Sequence, residues 1–287
     1  MKILEQLLGE DPRRSFLEKN FTKLPFSRPH GAQSLTHLLN WKVVEDIVKE
    51  NKSVLRIVQD GKVIKDYVEL TFDEVRAHHG RGHTILVRFA EESSKALRAL
   101  ATDFQNSFHT KVDIQLYCTP DKHNAFGWHY DVEEVFIIQT VGSKSYTIRP
   151  NTIHPNPLVS SIPKDLGYEK EKTPVEIKVT LEPGDWLYIP SGWWHVARTQ
   201  TESMHISIGL MPTSATDLAA YLPHYLARFP FWRTRMPIHQ EFASAEEEVD
   251  FYQDAVRKLG QDLGKHIASR EFIEAFLRWK KSGASTR

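Results

Sequence analysis

The chain has 287 residues, 40% of them hydrophobic and 26% charged, with 37 lysines and arginines against 37 aspartates and glutamates. Such a composition is ordinary for a globular protein and argues against extended disorder, and a zero net charge gives no support for a nucleic-acid-binding body. One cysteine, Cys118, excludes an internal disulfide, and no apolar run is long enough to span a membrane.

Met1 to Asp11 lacks the apolar core and small-residue cleavage site of a secretion signal, so a reducing cytoplasm is the expected compartment. The length suits an entire chain with one large domain, 1–212, and a smaller appendage, 213–287.

Taken in order, Ile3, Leu4, Leu7 and Leu8 fall at helical spacing, and Phe16 and Leu17 open a second apolar face after Asp11 and Pro12. Trp41, Val44, Ile47 and Val48 predict an amphipathic helix. Leu55 to Val58, the Asp60-Gly61 turn and Val63 to Val68 predict a hairpin. Thr71 with Glu74 predicts a capping box opening a helix to His79. His78, His79 and His83 follow in a glycine-rich stretch and are expected to be exposed and polar. Thr84 to Phe89 is a predicted strand, and Leu97, Leu100, Ala101, Phe104 and Phe108 form one face of a helix over 93–108.

Val112 to Thr119 alternates as a strand does, which sets Gln115 and Tyr117 on one face. A polar loop over 120–127 leads to Gly127-Trp128-His129-Tyr130-Asp131. In extended backbone His129 and Asp131 point the same way and can share one metal ion. Glu133 and Glu134 follow, and are expected at a solvent-facing strand start. Glu134 to Thr140 and Lys144 to Ile148 are predicted strands joined at Val141-Gly142-Ser143. The proline-rich stretch 151–173 has no regular period, and loops of that length in compact domains often serve as lids or binding surfaces.

Val175 to Val179 is again a strand. The run Leu181 to His195 then contains a Pro-Gly-Asp turn and ends on a histidine 64 residues after Asp131. Two imidazoles and one carboxylate, His129, Asp131 and His195, make the facial triad of non-haem iron(II) oxygenases, which leaves coordination positions open. His239 with Glu241 has the same spacing as His129 with Asp131 but lies among proline and glutamine, and is read as a solvated loop. Met204 to Leu210 is the strand after the distal histidine. Its Ser207 and His205 share a face.

Beyond Pro212 the period changes to 3.6. Leu218, Tyr221, Leu222, Tyr225 and Leu226 form a helix face kinked at Pro223. Ser244 and Glu247 predict a capping box before a helix with Val249, Tyr252, Val256, Leu259 and Leu263 turned inward, and a last helix carries Phe272, Ile273, Phe276 and Leu277. The arginines and aromatics of 228–235 and the basic tail Arg278 to Arg287 are read as bundle packing and surface charge, so nucleic acid is not expected as a direct substrate.

Three segments, Phe16 to Pro25, Gln115 to Ile148 and Leu181 to His195, resemble in order the JmjC-type cupin oxygenases, in particular the bacterial branch of the ribosomal oxygenases. The resemblance covers most of residues 16 to 212. It implies a mainly β, double-stranded β-helix (jelly-roll) core with flanking helices and a C-terminal helical bundle. It also implies iron(II) with 2-oxoglutarate and oxygen as co-substrates, hydroxylation of a protein side chain such as a ribosomal one, and a homodimer formed through the terminal helices.

Lys144, thirteen residues after Asp131, matches the basic residue that binds the far carboxylate of 2-oxoglutarate in that family. Tyr117 and Gln115 fall where a tyrosine and an asparagine contact the co-substrate, and Gln for Asn adds a methylene. Ser207 could add a hydroxyl to the same pocket. Trp128 and Trp194 are assigned to the site region and Trp186 to the core. The substrate itself has no recognisable motif. The loops 120–127 and 150–174 are expected to choose it, and a small-molecule hydroxylase or a non-catalytic metal-binding cupin stay open as rival readings.

Overall fold

The computed structural model describes residues 2–67, 69–123, 125–159, 162–163, 166–211, 213–235 and 242–281, and forms two compact units, Met1–Pro212 and Thr213–Arg287. In the first, helices α1 (Lys2–Leu8) and α2 (Glu10–Lys19) are followed by β1 (Phe26–Arg28), α3 (Trp41–Glu50), β2 (Val54–Gln59), β3 (Lys62–Tyr67), α4 (Phe72–Gly80) and β4 (Thr84–Arg88). The single turn α5 (Ala90–Ser93) and α6 (Lys95–Phe108) precede β5 (Lys111–Thr119), β6 (Glu134–Val141), β7 (Lys144–Arg149), β8 (Ile177–Leu181), β9 (Trp186–Ile189), β10 (Trp194–Thr199) and β11 (Ser203–Met211).

Eight strands form one antiparallel sheet in the order β1-β9-β6-β11-β5-β4-β2-β3, and β10-β7-β8 form a smaller one. Side chains from both sheets line a single cavity, so the two lie face to face as the jelly roll requires. The helix starts follow the side-chain chemistry. Asn40 and Ser94 cap α3 and α6, and Thr71 and Glu74 form the reciprocal capping box of α4.

Alternation within the large sheet separates core from cavity. Val112, Ile114, Leu116 and Cys118 of β5, Phe136 and Ile138 of β6, and Met204, Ile206, Ile208 and Leu210 of β11 face outward into one apolar core beneath the helices. The intervening residues face the interior. β6 therefore reads as a continuous apolar run, because it is covered on both sides, and Val135 and Ile137 join a second cluster with Tyr146, Ile148, Leu181, Leu187 and Ile189. At the centre of the outer core, Phe16 is 1% exposed and its ring lies 5.2 to 6.2 Å from those of Phe21, Phe26, Phe136, Trp186 and Tyr188.

Several expectations are corrected. The junction at Val141-Gly142-Ser143 is a corner rather than a hairpin, since β6 belongs to the large sheet and β7 to the small one. Gly142 makes it possible: φ is 64°, and a Cβ there would fall 1.8 Å from the Glu202 carbonyl oxygen. The strand expected from Val175 begins only at Ile177, leaving Val175 exposed. His79 is buried against the Trp41 ring, not exposed, and neither His78 nor His83 is fully solvated, their Nδ1 atoms lying 3.1 Å apart. Glu134 is also buried, hydrogen-bonded by the Tyr188 hydroxyl.

The second unit holds α7 (Ala215–Leu226), α8 (Ala245–Ile267) and α9 (Arg270–Lys281) around Tyr221, Tyr225, Leu226, Phe272, Ala275 and Phe276. α7 continues through Pro223. Ser244 caps α8, but the Glu247 carboxylate accepts from the backbone of Ala243 instead of closing a capping box. The inward face expected for α8 holds only near its end, where Leu263 packs on the core; Val249, Tyr252 and Val256 are 54%, 43% and 64% exposed. With 23 residues, α8 outruns its two shorter partners of 12 residues each. Ile273 and Leu277 on α9 are likewise exposed. Val68, His239, Glu241 and residues 282–287 lie outside the described residues.

Phe16→Ala should lower the unfolding free energy by about 3–5 kcal/mol, measured by urea denaturation, because five aromatic neighbours lose their common partner.

Candidate metal centre

The segment before β6 bends at Gly127 and Trp128 and joins no sheet ladder among the described residues. It is held to the start of β10 by one antiparallel bridge, His129 with His195, in which each backbone N–H donates to the other's carbonyl, at 3.1 and 2.8 Å. A third bond, Gly192 N–H to the Asp131 carbonyl at 2.8 Å, ties the turn before β10 to the same segment. The sequence Pro190-Ser191-Gly192 forms that turn because Gly192 takes φ 80°, in the left-handed region.

This bridge brings together two residues 66 positions apart. The His129 and His195 rings have centroids 4.2 Å apart, and His195 Nε2 lies 3.4 Å from Asp131 Oδ2. One ligand atom from each of His129, Asp131 and His195 lies within 4.8 Å of the others, and no other such group of three occurs among the described residues.

Each histidine is oriented in the same way. His129 Nδ1 is 2.8 Å from the Gly127 carbonyl, and His195 Nδ1 is 3.0 Å from the Trp193 carbonyl. A carbonyl only accepts, so each Nδ1 carries the proton and each Nε2 offers a lone pair to the shared space. Burial and the neighbouring His195 push the His129 imidazole down to about 4, which keeps it neutral and ready to ligate. Burial alone would raise the Asp131 carboxyl and lower His195, but the attraction between the carboxylate and the protonated form of His195 outweighs it, holding Asp131 at about 2 and moving His195 upward, so a metal ion must displace the Nε2 proton that this pairing favours. One carboxylate and two imidazoles on one side of a shared point fit a divalent ion with open positions opposite them.

The cavity continues from the triad to Tyr117, Lys144, Tyr146, His205 and Ser207, with Val135, Ile137 and Ala197 as apolar wall. Lys144 is 2% exposed and burial pushes its ammonium down to about 7, with no carboxylate among the described residues offsetting it. Its Nζ is 5.8 Å from the Tyr117 ring. His205 stacks on Tyr117 at 4.7 Å and 9°, and burial moves it well below the ordinary histidine range, so it is neutral. Its Nδ1 and the Tyr146 hydroxyl are buried with no hydrogen-bond partner among the described residues. A buried cation without a counter-ion, beside unsatisfied polar atoms, is an anion site by its own chemistry.

Of the residues expected here, His129, Asp131, His195, Lys144, Tyr117 and Ser207 line one cavity. Gln115 does not; it lies beside Tyr117 on the same face of β5, its Oε1 accepting from the Tyr117 hydroxyl at 3.3 Å. Tyr146 was legible but passed over: it sits two residues after Lys144 and so shares its face. Glu133, read as a solvent-facing carboxylate, is pushed up to about 7 by burial and by Asp131. Trp128 and Trp194 belong to the region but point away from the ligands.

A protein-family model described as JmjC domain matches residues 88–218. Two curated proteins with the same description, bifunctional lysine-specific demethylase and histidyl-hydroxylase NO66, are similar in sequence. The one from Drosophila persimilis is 27% identical over 73% of this chain and 31% of its own length, and the one from Culex quinquefasciatus is 30% identical over 59% and 28%. The chain thus spans less than a third of these relatives. Among solved structures, that of YcfD, a ribosomal oxygenase from Escherichia coli, superposes with a TM-score of 0.64 at 21% identity, covering 94% of this chain and 70% of that one. The same protein with cobalt and 2-oxoglutarate gives 0.63 at 20% identity, covering 92% and 68%. The fold is that of a JmjC cupin.

Asp131→Ala should weaken cobalt(II) binding by more than about a hundredfold, beyond the range for outer-shell changes, with unchanged far-ultraviolet circular dichroism. Calorimetric titration of the metal-free protein measures it.

Proposed function

We propose that this JmjC-domain chain is an iron(II)- and 2-oxoglutarate-dependent dioxygenase that hydroxylates a side chain of a protein, such as a ribosomal protein. The observation that carries the reading is the pairing, in one cavity, of the triad His129, Asp131 and His195 with the buried, uncompensated Lys144. Supporting it, a protein of the same fold has been solved with cobalt and 2-oxoglutarate, and the similar sequences are described as histidyl-hydroxylases.

Iron(II) held by the triad would supply oxygen activation, with 2-oxoglutarate and oxygen going to succinate and carbon dioxide as one oxygen atom enters a substrate C–H bond. The chain's own residues bind and orient. Lys144 gives the far carboxylate of the co-substrate its counter-charge, and the hydroxyls of Tyr117 and Ser207 are placed to hydrogen-bond the same dianion. Tyr146 and His205 present the polar atoms left unpaired around it. Gln115 steadies the Tyr117 hydroxyl. Val135, Ile137 and Ala197 keep water from the wall.

In this reading residues 1–212 are the catalytic domain and 213–287 a dimerisation region, whose exposed row Val249, Tyr252 and Val256 would meet a second copy. No helix among the described residues is long and apolar enough to cross a membrane. The oxidation-sensitive iron(II) and the lone, buried Cys118 suit the cytoplasm.

Three outcomes are expected. Anaerobic iron(II) with 2-oxoglutarate should give a weak visible charge-transfer band, and oxygen-dependent succinate should rise with a ribosomal peptide pool but not with free amino acids. No band would leave a non-catalytic cupin, and stimulation by amino acids alone would favour a small-molecule hydroxylase. Lys144 must be protonated to pair with the dianion; above about pH 7 it is neutral when unliganded, so binding must take up a proton. The affinity of the cobalt(II) protein for 2-oxoglutarate should therefore fall as pH rises from 7 to 9, by up to about tenfold per unit, and Lys144→Arg should flatten that slope. Sedimentation should show a dimer at micromolar concentration that Val256→Glu converts to monomer.

A further inference from the structure

The face of 127–131 turned away from the ligands is covered by one segment, the insertion 150–174. His129 and Asp131 line the cavity, whereas Trp128 and Tyr130 do not and pack on Tyr168 and Trp194. Trp128 stacks on Tyr168 at 4.3 Å and 10°. The Trp194 indole N–H, from the residue preceding His195, donates to Glu171 Oε2 at 3.2 Å, and the Trp194 ring meets Tyr168 edge-on at 5.3 Å. Tyr130 packs on Trp194 at 4.9 Å and faces His154 at 6.4 Å. The other limb of the insertion lies on the turn before β10, where a Cβ on Gly192 would meet Pro157 Cδ at 2.7 Å. The residue before each metal histidine is thus gripped by the same four-residue stretch, Tyr168 to Glu171.

Glu171 is built to hold that position. It is 9% exposed, and its carboxylate accepts from the backbone and hydroxyl of Thr152 and from the backbone N–H groups of Lys172 and Thr173 as well as from Trp194. The Arg149 guanidinium, paired with Glu176 at 2.9 Å, closes the cluster 5.4 Å from the Trp128 ring. Such support matters because 127–131 has only the single bridge to β10 and no strand on its other side. Trp128 and His129 are successive residues, so a shift of the backbone that moves one displaces the other.

We propose that the insertion is a positioning clamp for the metal centre: Tyr168 and Glu171 hold the two tryptophans that precede the histidine ligands, and thereby set the separation and aim of the imidazoles. The inference rests on the reading of the triad as a metal site. It gives the insertion a role separate from substrate choice, and linkage makes that role reciprocal, so metal binding must tighten the insertion by as much as the insertion tightens metal binding.

The test uses the full chain with cobalt(II) as probe. Tyr168→Ala and Glu171→Ala should each weaken cobalt(II) binding about tenfold, the lower end of the range for outer-shell changes, and alter the visible d–d spectrum; Tyr168→Phe, which keeps the stack, should stay within about twofold of the parent. In the unsubstituted protein cobalt(II) should slow hydrogen exchange at the Thr152, Lys172 and Thr173 amides, a readout that needs no variant to fold. Alanine variants that bind cobalt(II) with parental affinity and spectrum, or amides whose exchange ignores the metal, overturn the clamp while the metal centre stands. If the parent binds no cobalt(II), or binds it equally as Asp131→Ala, the metal centre falls and the clamp with it.

Discussion

Everything else in the first unit is arranged around one two-residue bridge. His129 and His195 exchange backbone hydrogen bonds, and in doing so they bring two imidazoles, tilted at 55° to one another, to a centroid separation of 4.2 Å. A bridge of this kind would be marginal by itself, with two hydrogen bonds worth about 1 kcal/mol each. It is kept in place by features on every side: the Gly192 amide on the Asp131 carbonyl, the carbonyls of Gly127 and Trp193 on the ring nitrogens, and the aromatic cluster behind. The same carbonyls that orient the rings also decide their tautomers, so geometry and proton inventory are settled by one set of contacts.

The cavity is an electrostatic gradient as much as a shape. At one end Asp131 holds its negative charge against burial; at the other Lys144 is stripped of water with no carboxylate nearby. Neutral His205 and Tyr146 surround the lysine without relieving it. A metal cation near Asp131 and an anion reaching from it toward Lys144 would satisfy both ends at once, whereas either alone leaves one buried charge uncompensated. Lys144 and Tyr146 reach the cavity from the smaller sheet and Tyr117, His205 and Ser207 from the larger one, whose outward-facing residues form the core under the helices.

Much of this was legible because period-two patterning and ligand chemistry are local properties. His129 with Asp131, the return to His195, and Gln115 with Tyr117 all follow from alternation and turn residues, and the strand carrying Gln115 and Tyr117 was placed within one residue. What was hidden depends on contacts between distant segments. The corner at Gly142 looks like a hairpin until one knows that β7 pairs with β10 and β8 instead of β6. Glu134 and His79 are polar in type yet buried, because Tyr188 and Trp41 cover them. The periodic face of α8 is real, but periodicity cannot say whether a partner covers it, and within its own unit only the last turns are covered. The irregular insertion has no period to read, so the grip of Tyr168 and Glu171 on the tryptophans has no signature in sequence.

The pleat of β5 has one more effect. Tyr117 faces the cavity, and its neighbour Cys118 faces away, fully buried beneath the helices with its thiol pushed up to about 12 by burial. Met204, its pairing partner on β11, points the same way, and among the described residues no sulfur atom lines the cavity. Sulfur is the element in proteins that reactive oxygen attacks most readily, and thiolates most of all. A protein that turned oxygen over in this chamber would have the Cys118 thiol and the Met204 thioether insulated by a sheet's thickness of hydrocarbon, protected from self-inflicted damage by nothing more than the parity of their positions.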